Sequence, residues 1–135
     1  MAKPVPTIRM HMTAAFHGIG ADQPLPLARQ LMKKHEIRHL PVLHGGVLVG
    51  MLSERDLALI ESLRDIDPKT LSVEEAMSSE VYSVSPNTPL DEVVTTMAER
   101  KLGSAVVMER GQVVGIFTTV DACRTLASLL NARLS

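Results

Sequence analysis

Residues 50–56 read Gly-Met-Leu-Ser-Glu-Arg-Asp, and residues 115–121 read Gly-Ile-Phe-Thr-Thr-Val-Asp. In both stretches an apolar run ends at a hydroxyl residue, Ser53 or Thr118, and an aspartate follows three positions later. The same offset of 65 residues aligns identical residues elsewhere without a gap: Met12 with Met77, Pro24 with Pro89, Val42 with Val107, and Gly46 with Gly111. Agreement at one fixed offset over most of the chain predicts an internal duplication.

Composition argues against several classes of protein. A net charge of −1 over 135 residues gives no basic surface for nucleic acid, and 2% aromatic residues leave few rings on which bases could stack. The single cysteine, Cys123, cannot form an internal disulfide and is expected to be buried. We see neither a signal peptide nor an apolar run long enough for a membrane helix. A cytoplasmic protein without a membrane partner is therefore expected.

No catalytic or metal-binding pattern is evident. His35 and His39 are four residues apart but lie on either side of a predicted helix end, so they are not expected to form a metal site. There is no Ser/His/Asp arrangement, no P-loop and no GxGxxG. We therefore predict that the chain is not an enzyme and needs no obligatory cofactor.

Both copies show the same predicted order of strand, helix, strand, strand and helix, which is the α/β (α+β) class. Thr88 is predicted to cap a helix with Pro89 at its first position, and glycines 45, 46 and 111 suit hairpin turns. Predicted strands are 16–19, 37–43 and 47–52 in the first copy, and 81–84, 102–108 and 112–117 in the second. Helices are predicted from Pro24, from Pro89, from Glu54 to about Leu63, and from Thr119 to about Asn131.

The duplication predicts two domains, residues 1–66 and residues 67–135, each with a short lead-in, 7–12 or 72–77. One unit of this size buries little apolar surface alone, so the two are expected to pack face to face with pseudo-two-fold symmetry. The last helix carries an apolar stripe made of Ala122, Leu126, Leu129 and Leu130. The stripe has two interpretations that the sequence leaves open, a partner surface or ordinary core.

The repeated turn also has two interpretations. In the structural one, Ser53 and Thr118 cap helices, and Asp56 and Asp121 lie in the first turn. In the functional one, the free N–H groups and the hydroxyl bind phosphate, and the aspartate accepts hydrogen bonds from a ribose diol. The glycine that begins each stretch would then let the backbone approach a ligand.

Residues 37–42 (Ile-Arg-His-Leu-Pro-Val) followed by 48–57 resemble the signature of the CBS domain, the repeat named after cystathionine β-synthase. Residues 103–107 with 114–121 are similar to its partner repeat, and 77–90 resemble its lead-in. The resemblance covers about residues 8–129 and implies a tandem pair of CBS domains, or Bateman module. Such pairs are regulatory modules that bind AMP, ADP, ATP or S-adenosylmethionine in the clefts between the repeats and usually form homodimers. Magnesium is a further candidate ligand through nucleotide phosphates, and a ligand-free dimerisation or protein-interaction module is the alternative function.

The resemblance also assigns site residues. It implies that Asp56 and Asp121 hold ribose, with Ser53 and Thr118 on ribose or phosphate. It implies that phosphate meets Arg55 and His39. The base would be framed by residues that lie on the hairpins and lead-ins: Arg38, Leu40, Pro41, Ser104 and Ala105, helped by Phe16, His17 or Tyr82.

The two copies differ in their cationic residues. Val120 stands where the first copy has Arg55, and Gly103 and Ser104 stand where it has Arg38 and His39. We therefore expect the site with Arg55 to prefer the more charged ligand, and the other site to be weaker, more apolar or empty.

Overall fold

The computed structural model describes residues 5–134, which form two compact units. The first, here called the Ser53 unit, is His17–Val81. The second, the Thr118 unit, joins the residues up to Phe16 to those from Tyr82 onward. The compact units thus have different boundaries from the predicted repeats 1–66 and 67–135, because the lead-in of each copy belongs to the unit of the other copy. From here on, the lead-ins are taken with their flanking residues, as 5–16 and 71–81. The repeat boundaries themselves stay a prediction about the sequence.

The Ser53 unit contains one three-stranded sheet and three α-helices. Its strands are β1 (Ile19–Gly20), β2 (His39–His44) and β3 (Val47–Ser53), with β1 parallel and β3 antiparallel to β2. Its helices are α1 (Leu25–His35), α2 (Glu54–Glu61) and α3 (Val73–Ala76), and a 3₁₀ turn covers Pro68–Thr70.

The Thr118 unit repeats this plan. Its strands are β4 (Ser83–Val84), β5 (Ser104–Glu109) and β6 (Gln112–Thr118), in the same parallel and antiparallel arrangement. Its helices are α4 (Leu90–Arg100) and α5 (Thr119–Leu134), and a 3₁₀ helix covers Ile8–Met10. The predicted fold class and the order of elements are confirmed, whereas the first strand of each copy is shorter and begins later than predicted.

Two-residue turns close both hairpins. Gly45 and Gly46 have φ of 56° and 82°, and Arg110 and Gly111 have φ of 52° and 76°. Positive φ at both central residues is the geometry whose twist matches that of paired strands. The predicted role of glycine in these turns is confirmed, and Arg110 adopts the left-handed conformation without being a glycine.

Each hairpin buries both of its faces. On one face, pairs such as Leu40 with Leu52 and Ala105 with Phe117 pack against the helices of their unit, and all four side chains are fully buried. On the opposite face lie Pro41 paired with Met51, and Val106 paired with Ile116, which are also buried. Strands buried on both faces read as continuous apolar runs, which is why the sequence shows little alternation here.

Helices α1 and α4 begin without a side-chain cap. Pro89 is the N-cap of α4, so the helix starts one residue later than predicted. Thr88, the predicted cap, instead accepts a hydrogen bond from the Ser85 N–H at 3.2 Å. The first free N–H of α4, on Leu90, donates to the carbonyl of Pro6 at 2.8 Å. Because a lead-in carbonyl satisfies this orphan donor, the helix needs no capping side chain.

The lead-in segments explain the two repeated glycines. A Cβ on Gly50 would collide with the sulfur of Met77 and lie 2.7 Å from the Ser78 carbonyl oxygen. A Cβ on Gly115 would lie 2.6 Å from the sulfur of Met12. The space that a side chain would need at these glycines is therefore taken by a methionine of the lead-in, which explains the glycines by packing; the approach of a ligand to their backbone stays a prediction.

Helix α5 differs from its predicted packing. Its inward face is formed by Asp121, Ala122 and Thr125, whereas Leu126, Leu129 and Leu130 are about half exposed, at 57%, 49% and 49%. The core interpretation of the stripe therefore fails for these three leucines. Cys123 is exposed, contrary to prediction, because it lies beside that inward face and not on it. Within residues 5–134, no helix combines the length and apolar character that crossing a bilayer requires.

Candidate functional site

The first helix start is a complete capping box at the end of β3. The Ser53 hydroxyl accepts from the Asp56 N–H at 3.1 Å, and Asp56 Oδ2 accepts from the Ser53 N–H and hydroxyl, both at 2.9 Å. The structural interpretation of this turn is thus confirmed. The box occupies Oδ2 of the carboxylate, and among residues 5–134 no donor reaches its other oxygen, Oδ1.

The second helix start repeats the box, with two of its three hydrogen bonds longer than in the first. The Thr118 hydroxyl accepts from the Asp121 N–H at 3.4 Å, and Asp121 Oδ2 accepts from the Thr118 N–H at 2.9 Å and from its hydroxyl at 3.3 Å. Here the second carboxylate oxygen is also engaged, because the Thr13 hydroxyl donates to Oδ1 at 3.0 Å. Asp121 is buried, with 7% of its surface exposed.

His39 lies next to the first helix start. It is opposite Ser53 in the β2–β3 register and half-buried. Burial lowers the pKa of His39 below its usual value, and although the Asp56 carboxylate raises it, the charge of Arg38 lowers it further. His39 is therefore neutral at pH 7 and offers a phosphate an uncharged N–H instead of a cation.

The three arginines near this helix start differ in their partners. Arg38 is largely exposed and its Nε lies 3.6 Å from Glu54, which also lies 3.7 Å from Arg29. Arg29 is held mainly by Glu61, at 2.6 Å, and this bond raises the pKa of Arg29. Arg55 is exposed, and no carboxylate within residues 5–134 lies in ion-pair range of it. Arg55 is thus the cation that a phosphate could bind without breaking an ion pair.

The residues predicted to frame a base are only partly available. Leu40 and Ala105 are fully buried in the helical cores of their units, so their side chains do not face solvent. Pro41 is buried on the opposite face of its sheet, and Ser104 is half-buried opposite Thr118. Contact of these residues with a base stays a prediction. For Leu40 and Ala105, whose side chains are buried, the contact would have to come from backbone atoms.

The aromatic candidates from the lead-ins have other neighbours. His17 stacks on His35 with ring centroids 3.6 Å apart, and partial burial, His17 and Lys34 lower the pKa of His35. Tyr82 is half-buried against the core of the Thr118 unit, with the Arg100 guanidinium 5.7 Å from its ring centroid. Phe16 is half-buried. By unit, the structure places His17 with Asp56, and Phe16 and Tyr82 with Asp121.

Three polar residues at the second helix start escaped the sequence analysis. Thr13 reaches Asp121, and the Thr125 hydroxyl donates to the Asp121 carbonyl at 2.9 Å and lies 3.3 Å from His11 Nδ1. One available signal was the alignment of Thr13 with Ser78, a hydroxyl at the same place in both copies. Within residues 5–134, no group of three or more His, Cys, Asp or Glu side chains is arranged to hold a metal ion.

Comparison with known proteins identifies the family. The CBS domain pattern matches residues 1–61 and again residues 73–128. The chain belongs to the CBS domain family. Its architecture is that of a pair of CBS domains, as the resemblance implied.

Three relatives illustrate the similarity. CBS domain-containing protein YhcV of Bacillus subtilis is 32% identical over 115 residues, which are 85% of this chain and 81% of YhcV. Hypoxic response protein 1 of Mycobacterium tuberculosis is 31% identical over 121 residues, 89% of this chain and 85% of that protein. A crystal structure of Hypoxic Response Protein I with two coordinated zinc ions has a TM-score of 0.77 at 29% identity, covering 88% of this chain and 98% of that one.

The CBS pair of protein MJ0100 has a TM-score of 0.83 to this chain at 24% identity, covering 93% of this chain and 98% of MJ0100. That crystal structure contains 5′-methylthioadenosine and S-adenosylmethionine. At this level of identity the likeness shows the shared fold.

Proposed function

We propose that this CBS pair is a regulatory module that binds an adenosine ligand, with AMP, ADP, ATP and S-adenosylmethionine as candidates. The observation that carries the proposal concerns the start of α2: among the described residues, no donor engages Asp56 Oδ1 and no carboxylate pairs with the neighbouring Arg55. A carboxylate with an unoccupied oxygen can accept hydrogen bonds from a ribose diol. An unpaired guanidinium can hold phosphate through two parallel hydrogen bonds. The adenosine ligands of MJ0100 support this class of ligand in a similar fold.

The roles proposed for the individual residues are those that the family resemblance implies, together with the partners described above. Asp56 and Asp121 hold the ribose, Ser53 and Thr118 bind ribose or phosphate, and Arg55 pairs with phosphate. Neutral His39 donates a hydrogen bond to a phosphate oxygen. The remaining predicted residues frame the base: Arg38, Leu40, Pro41, Ser104, Ala105, Phe16, His17 and Tyr82. Magnesium would accompany ADP or ATP through their phosphates.

Isothermal titration with the four candidate ligands tests the proposal. We expect at least one to bind, and thermal unfolding to shift upward, because ligand at a hundred times its Kd adds about 2.7 kcal/mol of stability. Asp56→Asn should weaken binding about tenfold or more, since it removes the charged acceptor. Asp91→Asn is the matched control, an exposed first-turn aspartate of α4 without a proposed role. If none of the four binds at millimolar concentration, the proposal is wrong.

A second function is supported by the exposed apolar face of α5. Three half-exposed leucines on one helix, Leu126, Leu129 and Leu130, would be covered if two copies of the chain paired through this face. We propose that the chain forms a homodimer, through which a bound ligand would be signalled to an unidentified regulated protein in the cytoplasm. If no ligand binds, dimerisation or protein interaction alone is the alternative function.

A further inference from the structure

The two aspartates have different remaining capacity for hydrogen bonds. Each carboxylate oxygen can accept about two, so a carboxylate can accept about four. Asp56 uses two of these on Ser53, both at Oδ2, and no donor in the described part of the chain (5–134) engages Oδ1. Asp121 uses the same two on Thr118 and a third, at Oδ1, on Thr13. Asp56 can therefore accept both hydroxyls of a vicinal diol, whereas Asp121 can accept one.

Thr13 is fixed in place independently of its hydroxyl. Its N–H donates to the Ile116 carbonyl at 2.8 Å, and the Ile116 N–H donates to the Thr13 carbonyl at 3.0 Å. Ser78 makes the same pair of backbone bonds with Met51, both at 2.9 Å. The two lead-ins thus hold a hydroxyl residue at the same point beside their sheet, and removing the hydroxyl of Thr13 should leave the backbone where it is.

The side chains at these two positions point to different partners. The Ser78 hydroxyl lies 3.4 Å from the Glu80 carbonyl and 3.3 Å from the Glu80 N–H, and it does not reach Asp56. The Thr13 hydroxyl reaches Asp121 instead. The sequence that follows accounts for part of the difference, because Ala14 and Ala15 stand where Ser79 and Glu80 follow Ser78.

A second polar contact, between His11 and Thr125, links the same lead-in to α5. Since the Thr125 hydroxyl gives its proton to the Asp121 carbonyl, the hydrogen bond at 3.3 Å between Thr125 and His11 requires a proton on His11 Nδ1. The aligned residues in the Ser53 unit are Ile60 and Ala76, which pack as apolar side chains. Within residues 5–134, the lead-in beside Asp121 is thus held to α5 by side-chain hydrogen bonds at His11 and at Thr13, whereas the other lead-in makes neither bond to α2.

We infer that Thr13 is a specificity-determining residue of the Asp121 site: it takes one acceptor of the carboxylate and so makes that site indifferent to one hydroxyl of the ribose. This inference rests on the proposed function. The Asp56 site, which lacks such a bond, requires the intact diol. The two halves of the chain then discriminate differently between adenosine ligands that differ only in the sugar.

The test uses AMP and 2′-deoxy-AMP as probes in isothermal titrations of the full chain. In an Asp56→Asn background, which leaves the Asp121 site, we expect the two probes to bind within about twofold of each other. Adding Thr13→Val should strengthen AMP binding and create a preference for AMP of about tenfold, the usual size for a hydrogen bond to a charged acceptor. Thr13→Ser keeps the hydroxyl and should behave like the unaltered residue.

The reciprocal background, Asp121→Asn, leaves the Asp56 site, where AMP should already be preferred about tenfold. Ser78→Ala is the matched control and should change nothing there. Equal discrimination by the two sites, or no effect of Thr13→Val, would overturn the inference while leaving the proposed function intact. Failure of the unaltered chain to bind AMP at all would overturn the inference, and failure with all four candidate ligands would overturn the proposed function as well.

Discussion

The sulfur of Met77 fills the space beside Gly50, and the sulfur of Met12 fills the equivalent space beside Gly115. Each glycine of the repeated motif thus packs against a methionine, and that methionine comes from the other copy of the repeat. The absence of a side chain at these positions is a packing requirement of the sheet, which makes it testable by changes in stability.

Gly50→Ala and Gly115→Ala should each lower the free energy of unfolding by about 1–3 kcal/mol, because the added carbon overpacks the contact. The penalty of Gly115→Ala should largely disappear in a Met12→Ala background, where the nearest remaining atom is the Thr13 carbonyl oxygen at 3.1 Å. The penalty of Gly50→Ala should persist in part with Met77→Ala, since the Ser78 carbonyl lies at 2.7 Å. Urea unfolding of the single and double variants measures both. Equal rescue at the two sites would contradict this packing.

Loss of the first capping box should also be measurable. Ser53→Ala removes the acceptor of the Asp56 N–H and should lower the free energy of unfolding by about 1 kcal/mol. Ser128→Ala, at an exposed position within α5, is the control and should change it by less than about 0.5 kcal/mol. A result in which both substitutions have the same small effect would mean that the cap contributes little to the fold.

Stability should depend on pH through His39. Its pKa in the folded chain is below the ordinary value of 6.5, so between that lowered value and pH 6.5 the unfolded chain binds more protons. Stability is therefore full above about pH 6.5 and falls as the pH decreases through this window. His39→Gln should reduce the slope of unfolding free energy against pH. His35 has a lowered pKa too, so His35→Gln in parallel separates the two contributions. An unchanged slope in His39→Gln would refute the assignment.

Ligand binding should be linked to the same proton. A phosphate dianion beside His39 favours the protonated ring, so the affinity for AMP should increase as the pH falls from 7.5 to about 6.5, by at most about tenfold per pH unit, before the phosphate itself is protonated near pH 6. His39→Gln should remove this increase without abolishing binding, because Arg55 and Asp56 remain, and only the titration of the AMP phosphate should then be left. Titrations at several pH values, with S-adenosylmethionine as a ligand that lacks phosphate, provide the comparison. The same pH dependence for both ligands would argue against a phosphate at His39.

If two copies of the chain associate through the apolar face of α5, a charge placed on that face should prevent the association. Leu129→Glu replaces one of the three exposed leucines with a carboxylate and, if the proposed homodimer forms through this face, should convert it to a monomer with unchanged helical content. Ser128→Glu adds the same charge on the opposite side of the helix and should leave the dimer intact. Sedimentation equilibrium distinguishes the two. A monomer in the unaltered chain, or a dimer that survives Leu129→Glu, would exclude this face as the interface.

The sequence predicted what is encoded locally. The hairpin turns, the two capping boxes and the order of elements each depend on residues close together in the chain, and all are found in the structure. The features that the sequence did not predict depend on contacts between residues that are far apart in the chain. The acceptor for the first N–H of α1 is Leu71, and the donor to Asp121 is Thr13, 108 residues away. The left-handed residues that end α1 and α4, Glu36 and Lys101, also lack the glycine that usually signals such a cap.

The exchange of lead-ins constrains how such a chain can be divided. A fragment ending near residue 66 would retain Leu25 but lose the carbonyl of Leu71, and a fragment starting there would retain Leu90 but lose the carbonyl of Pro6. Neither half contains the carbonyl that accepts the hydrogen bond from the first N–H of its own first helix. The smallest fragment that keeps both first helices with the carbonyls they use therefore has to include residues from Pro6 onward and residues on both sides of the boundary near 66.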